Sequence, residues 1–175
     1  MNDIAMVILA ALVLATALDF FADLLNLRRM REALPAAFVG WYDPERYRKS
    51  QTYLRVNTRF GWGVAMVDLA LLLVFWFGGG FRWLDEWVRG LALAPVASGL
   101  IFIGLLATAK TLISQPFSAY ATFVIEARFG FNQTTGRTYL LDRIKGLGLA
   151  LLLGAPLLAA ILLFFQYAGP DAWWY

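Results

Sequence analysis

Four ionisable residues stand inside otherwise apolar runs of this chain: Asp19, Asp23, Asp68 and Lys110. A charge at membrane depth is expensive, so such residues face a partner or a water-filled cavity and not lipid. Counted at 1.5 Å per helical residue from the polar end of each run, Asp19 and Asp68 lie about 12 Å deep and Lys110 about 8 Å. Thr16, Asp19, Asp23 and Asn26 also recur at spacings of three, four and three, which places them on one helical face. Two readings fit this set. One is a structural ion pair in which Asp68 or Asp19 neutralises Lys110; the other is a solvated chamber wall, and the two can coexist. A paired-carboxylate hydrolase built on Asp19 and Asp68 lacks any substrate-orienting motif nearby. A stand-alone transport or binding protein, with the set lining an ion or solute path, is the competing function class.

The 175 residues contain no histidine and no cysteine. That removes a His-based zinc site, a Ser-His-Asp triad, a Cys-His dyad, thiolate ligands and disulfides. Any catalysis by these residues alone would need carboxylates, Lys, Tyr, Ser or Thr, and no cofactor is expected in this chain. It is 61% hydrophobic and 15% charged, with mean hydropathy +0.64. Soluble domains carry about 25% charged residues, so the composition specifies contact with a lipid bilayer. The basic residues fall in loops and not on a stripe with exposed aromatics, which argues against a nucleic-acid partner.

The elements that would hold these residues follow from the apolar runs. The expected fold is all-α, a polytopic membrane helix bundle with spans at about residues 4–27, 60–77, 91–114 and 147–167. The start of a fifth is expected at Trp173-Trp174-Tyr175, and the whole is read as a single N-terminal transmembrane domain over residues 1–175. The opening MNDIAM has no basic residue, so the first run reads as a retained helix and not a cleaved signal. Amphipathic segments fill the two polar interruptions, residues 28–59 and 115–146. In the first, Asp43-Pro44-Glu45 forms a helix start, with Asp as N-cap and Pro at the first helical position. In the second, Gln115-Pro116 should break the preceding helix, and Gly130 and Asn132 tolerate a left-handed turn. Thr134 or Thr135 is the N-cap that follows. Gly78-Gly79-Gly80 closes the second span, and residues 81–90 read as a loop whose Trp83 and Trp87 suit the headgroup level. Gly154 with Ala150, and Ala155 with Ala159, have the spacing that lets helices approach closely.

Sidedness follows from charge. Residues 28–59 carry eight basic residues against three acidic ones, and Arg128, Arg137, Arg143 and Lys145 lie in the other polar interruption. Both loops are expected in the cytoplasm, with the N-terminus outside, in a bacterial cytoplasmic membrane. The Asn132-Gln133-Thr134 sequon then lies on the wrong side for glycosylation.

The run PFSAYATFVIEARFGFNQTT (residues 116–135), followed by Leu141-Asp142-Arg143-Ile144-Lys145, resembles a known family. It is similar to the N-terminal membrane region of integral-membrane zinc metalloproteases of the CAAX prenyl protease type. The matching positions include Pro116, Tyr120, Glu126, Gly130, Asn132, Asp142 and Lys145, with weaker likeness at Glu45, Tyr47, Lys49-Ser50 and Tyr53 and at the C-terminal aromatics. The resemblance implies a helix bundle enclosing a chamber, and cleavage of membrane-associated or prenylated peptides at the cytoplasmic face. In that family the zinc sits on a later segment bearing HExxH and a further Glu. With no histidine here, zinc is expected in a C-terminal catalytic segment outside this chain, after one more span beyond Trp174.

Overall fold

The computed structural model describes residues 3–30 and 33–168. The helices are α1 (Asp3–Arg29), α2 (Pro44–Phe77), α3 (Gly80–Arg89), α4 (Pro95–Glu126) and α5 (Gly136–Ala168). All but α3 are long and apolar enough to cross a membrane. The expected start of a fifth span at Trp173–Tyr175 lies outside the described residues.

Helix α2 begins as its sequence directs. Pro44 is the first helical residue, and the Glu45 N–H donates to Asp43 Oδ1 at 3.0 Å. It then runs 34 residues without a break, so the amphipathic segment and the second span are one rod. Nothing between Asn57 and Phe60 disfavours a helix. At 1.5 Å per residue the rod is about 51 Å long, well beyond the ~30 Å of hydrocarbon. Its basic first half therefore stands at or beyond the headgroups.

Pro116 does not end its helix. Helix α4 continues through it and turns π-helical at Ala121–Glu126. Proline withdraws one N–H from the carbonyl of Leu112, a loss that neighbouring helices can offset in a membrane. The third span begins at Pro95 and not at residue 91, again with proline at the first helical position. Helix α5 reaches back to Gly136, capped by Thr135, whose hydroxyl accepts from the Thr138 N–H at 3.2 Å. The polar interruption expected over 115–146 is reduced to residues 127–135. Residues 81–90 are helix and not loop. Arg82–Glu86 and Arg89–Asp85, each 2.7 Å and four residues apart, staple α3 along its exposed face.

Among the described residues only Leu84, Val88, Ile125 and Phe129 are buried apolar side chains. No residue in the most apolar stretch of any of the four long helices is buried. The accessible area is 13322 Å², against about 8,600 Å² for a soluble protein of this mass. Large apolar side chains are exposed along all four long helices, from Ile4 on α1 to Tyr167 on α5.

The chain divides into two compact units, Met1–Leu72 with Tyr120–Asn132, and Leu73–Ala119 with Gln133–Tyr175. In the first, α1 and α2 run antiparallel. Trp62 of α2 packs against Phe20 of α1 with ring centroids 4.4 Å apart and the rings tilted at 43°, and its indole N–H donates to Asp23 Oδ2 at 3.0 Å. In the second, Gly99 lets α4 meet α5, since a Cβ there would lie 2.9 Å from Leu162 Cδ1. Among the described residues the close approach expected at Gly154 is not seen: a Cβ there would meet nothing within 4 Å. Gly154 instead closes a π-helical turn, Ala150–Gly154.

Candidate functional site

The most specific stretch of sequence, residues 116–145, builds two structures, one in each unit. In the first unit α4 ends in a left-handed cap at Gly130, φ +67°. The Gly130 N–H donates to Ala127 O at 3.0 Å and the Phe131 N–H to Glu126 O at 2.9 Å. This pair of bonds is the Schellman arrangement, which satisfies carbonyls a helix end leaves open. Glycine is needed because a Cβ in this conformation costs roughly 1–2 kcal/mol. The cap places Phe129 and Phe131 on either side of it, and Tyr53 of α2 meets both edge-on, with centroids 5.5 and 4.9 Å away. Lys49, one turn earlier on α2, holds its ammonium 5.9 Å from the Phe131 ring. Edge-to-face pairs contribute about 0.5–1.5 kcal/mol each beyond area burial. The four-residue spacing of Lys49 and Tyr53 puts both on the face of α2 that meets the cap.

Of the matching motif residues here, Tyr120 stacks on Phe60 at 5.2 Å. Glu126 contributes its backbone carbonyl to the cap and receives a further, longer bond from the Asn132 N–H at 3.4 Å. Its carboxylate forms no ion pair with Arg128 among the described residues; the Arg128 guanidinium lies instead over the Phe129 ring at 5.9 Å.

In the second unit, α5 straps α4 on both sides of Pro116. Tyr139 donates its hydroxyl hydrogen to Gln115 Oε1 at 3.1 Å. Arg143 donates to Ser118 Oγ and to the Tyr139 oxygen, 3.3 Å away, and its guanidinium lies 4.8 Å from the Tyr139 ring centre. These side-chain bonds hold the helix where proline has removed a backbone one. Asp142 and Lys145 are exposed on the neighbouring turn of α5.

The intramembrane charges differ in exposure. Asp23 is half-buried and engaged by Trp62, while Asp19, one turn back on α1, is exposed. Asp68 is half-buried on α2 and Lys110 is exposed on α4, and neither is without a partner. Sequence reasoning missed Trp62, Phe129 and the Gln115–Tyr139–Arg143 strap. The i,i+4 spacing of Tyr139 and Arg143 was a usable signal; the partners on other helices were not.

On α3, each guanidinium has its pKa raised by the carboxylate hydrogen-bonded to it, Glu86 for Arg82 and Asp85 for Arg89. Among the described residues no group of three or more His, Cys, Asp or Glu converges.

The family described as CAAX prenyl protease N-terminal, five membrane helices, matches residues 23–175. CAAX prenyl protease 1 of Saccharomyces cerevisiae is 34% identical over 152 residues, covering 81% of this chain and 34% of that protein. The Arabidopsis thaliana homologue is 31% identical over 162 residues, covering 87% and 38%. The crystal structure of S. mikatae Ste24p superposes on all of this chain with a TM-score of 0.85 at 29% identity, and 42% of that chain is matched. The chain thus spans little more than a third of the length of the curated relatives it matches. It belongs to the CAAX prenyl protease 1 family, as its N-terminal membrane domain.

Proposed function

We propose that this chain is the membrane-embedded part of a CAAX prenyl protease-like zinc metalloendopeptidase. In this reading it walls a chamber and admits substrate, while hydrolysis occurs at an HExxH zinc site supplied by polypeptide outside these 175 residues. The observation that carries the reading is the likeness of the whole chain to the Ste24p structure, TM-score 0.85, joined to the lack of any histidine. The substrate class is a peptide whose end is prenylated or otherwise membrane-associated, following the names of the relatives.

Charge supports a sidedness for this arrangement. The Arg-rich start of α2 and residues 127–135 face the cytoplasm, with the N-terminus and α3 outside. Charge asymmetry orients proteins in bacterial and eukaryotic membranes alike, so the proposal concerns sidedness, and a bacterial cytoplasmic membrane is where it is tested. The chain has no cysteine, so single cysteines report cleanly. In bacterial spheroplasts, an impermeant thiol reagent should label Trp83→Cys and spare Gln133→Cys; the reverse pattern contradicts the sidedness.

Substrate access has its own test. The chain is joined to the HExxH-bearing remainder of the S. cerevisiae relative and irradiated with a photoreactive farnesylated peptide. Adducts should map to α1, α2 or α4 of this chain. Adducts confined to the added segment would remove the chamber-wall role.

A further inference from the structure

In the first unit, the facing stripes of α1 and α2 form an open cavity of about 250 Å³ lined by Leu24, Leu27 and Arg28 of α1 and Arg55, Arg59 and Trp62 of α2. The spacing on each helix is what a shared face requires: 24, 27 and 28 on one, 55, 59 and 62 on the other. Three of the six lining residues are arginines and none is acidic. The nearest carboxylate on α1, Asp23, accepts the Trp62 indole N–H at 3.0 Å. Trp62 is held further by Phe20 at 4.4 Å, so this wall of the cavity is fixed before anything binds.

Position along the helices sets the depth. Arg28 is in the last turn of α1, and Arg55 and Arg59 immediately precede the apolar stretch that starts at Phe60. The cavity therefore sits where hydrocarbon gives way to headgroups. Its chemistry changes across that boundary, with Leu24, Leu27 and Trp62 on one side and guanidinium groups on the other. An arginine fork matches phosphate oxygens two at a time. Arg55 has a partner of its own, so the forks of Arg28 and Arg59 are the ones such a phosphate would meet first.

We infer that this cavity is a binding site for the phosphate of an anionic phospholipid, whose glycerol and first acyl carbons lie against Leu24, Leu27 and Trp62. Basic pockets between membrane helices on the cytoplasmic side recognise such headgroups. The site belongs to the α1–α2 pair alone and does not rest on the protease reading.

Native mass spectrometry of the detergent-solubilised full chain tests this, with dioleoylphosphatidylglycerol, dioleoylphosphatidylcholine and inorganic phosphate titrated separately. Phosphatidylglycerol should form a one-to-one adduct that phosphatidylcholine does not form at the same concentration. Arg55→Gln with Arg59→Gln should weaken it roughly 25-fold, at about five-fold per basic contact. Arg46→Gln with Arg48→Gln removes the same charge from α2 outside the cavity and should leave the adduct within two-fold. If the paired variant does not fold, Arg28→Gln from the other helix carries the test, with about a five-fold loss expected. Equal losses in the cavity and control variants, or no preference for phosphatidylglycerol over phosphatidylcholine, would overturn the site. Phosphate adducts as tight as the lipid's would assign the cavity to a soluble anion and overturn the lipid occupant.

Discussion

The four buried apolar side chains of the described residues fall in two places, and the two are held by different physics. Ile125 and Phe129 lie at the end of α4, beside a left-handed glycine and beneath Tyr53 of a helix some seventy residues earlier in sequence. Leu84 and Val88 lie on α3, a ten-residue helix whose exposed ion pairs are all local. One is a junction made by distant segments; the other is the buried side of a short amphipathic helix. The difference teaches where this membrane domain keeps its specificity. Lipid-facing surfaces tolerate many apolar sequences, whereas a junction between helices at the headgroup level needs particular residues.

Breaking the junction should therefore cost more than breaking the short helix. Phe129→Ala should destabilise the detergent-solubilised chain by about 3–5 kcal/mol, read as loss of thermal stability. Val88→Ala should cost about 2 kcal/mol, at roughly 0.8 per methylene-sized group removed. Equal losses would show that α3 is as much a keystone as the α4 turn.

The cap sharpens the contrast. Gly130→Ala should cost roughly 1–2 kcal/mol for forcing a Cβ into φ +67°, and Gly130→Asn should recover part of it. A neutral alanine variant would mean that the turn relaxes without loss.

How much of this was legible beforehand depends on the reach of each interaction. The caps at Asp43-Pro44 and Thr135, the left-handed Gly130 and the four apolar runs are local, and all were readable from neighbouring residues. Pro116 was misread because its penalty is local but its compensation is not: Gln115 and Ser118 are held by Tyr139 and Arg143, more than twenty residues onward. The glycines mislead in the same way. Gly154 has the right spacing yet faces open space, while Gly99, which has no such pattern, meets Leu162. Thus Gly154→Ala should be neutral or gain about 0.5–1 kcal/mol, whereas Gly99→Leu should lose about 1–3 kcal/mol through overpacking. Thermal unfolding of the two variants side by side checks it.

The smallest effect is expected on α3. Arg82→Gln and Arg89→Gln remove exposed pairs screened by water and salt, so the melting temperature should not move measurably. Both guanidinium pKa values are raised from an already high value, so neither arginine loses its proton as pH rises from 6 to 9. Any pH-dependent loss over that range must come from another group.

The central claim is that this chain supplies membrane walls and lends no hydrolytic group. Its most direct measurement is cleavage of a farnesylated CAAX peptide by the purified chain alone and by the same chain joined to an HExxH-bearing segment of a relative, each with zinc present. The account predicts turnover by the joined protein that a chelator abolishes, and none by the 175 residues alone. Chelator-sensitive cleavage by the chain alone would contradict it.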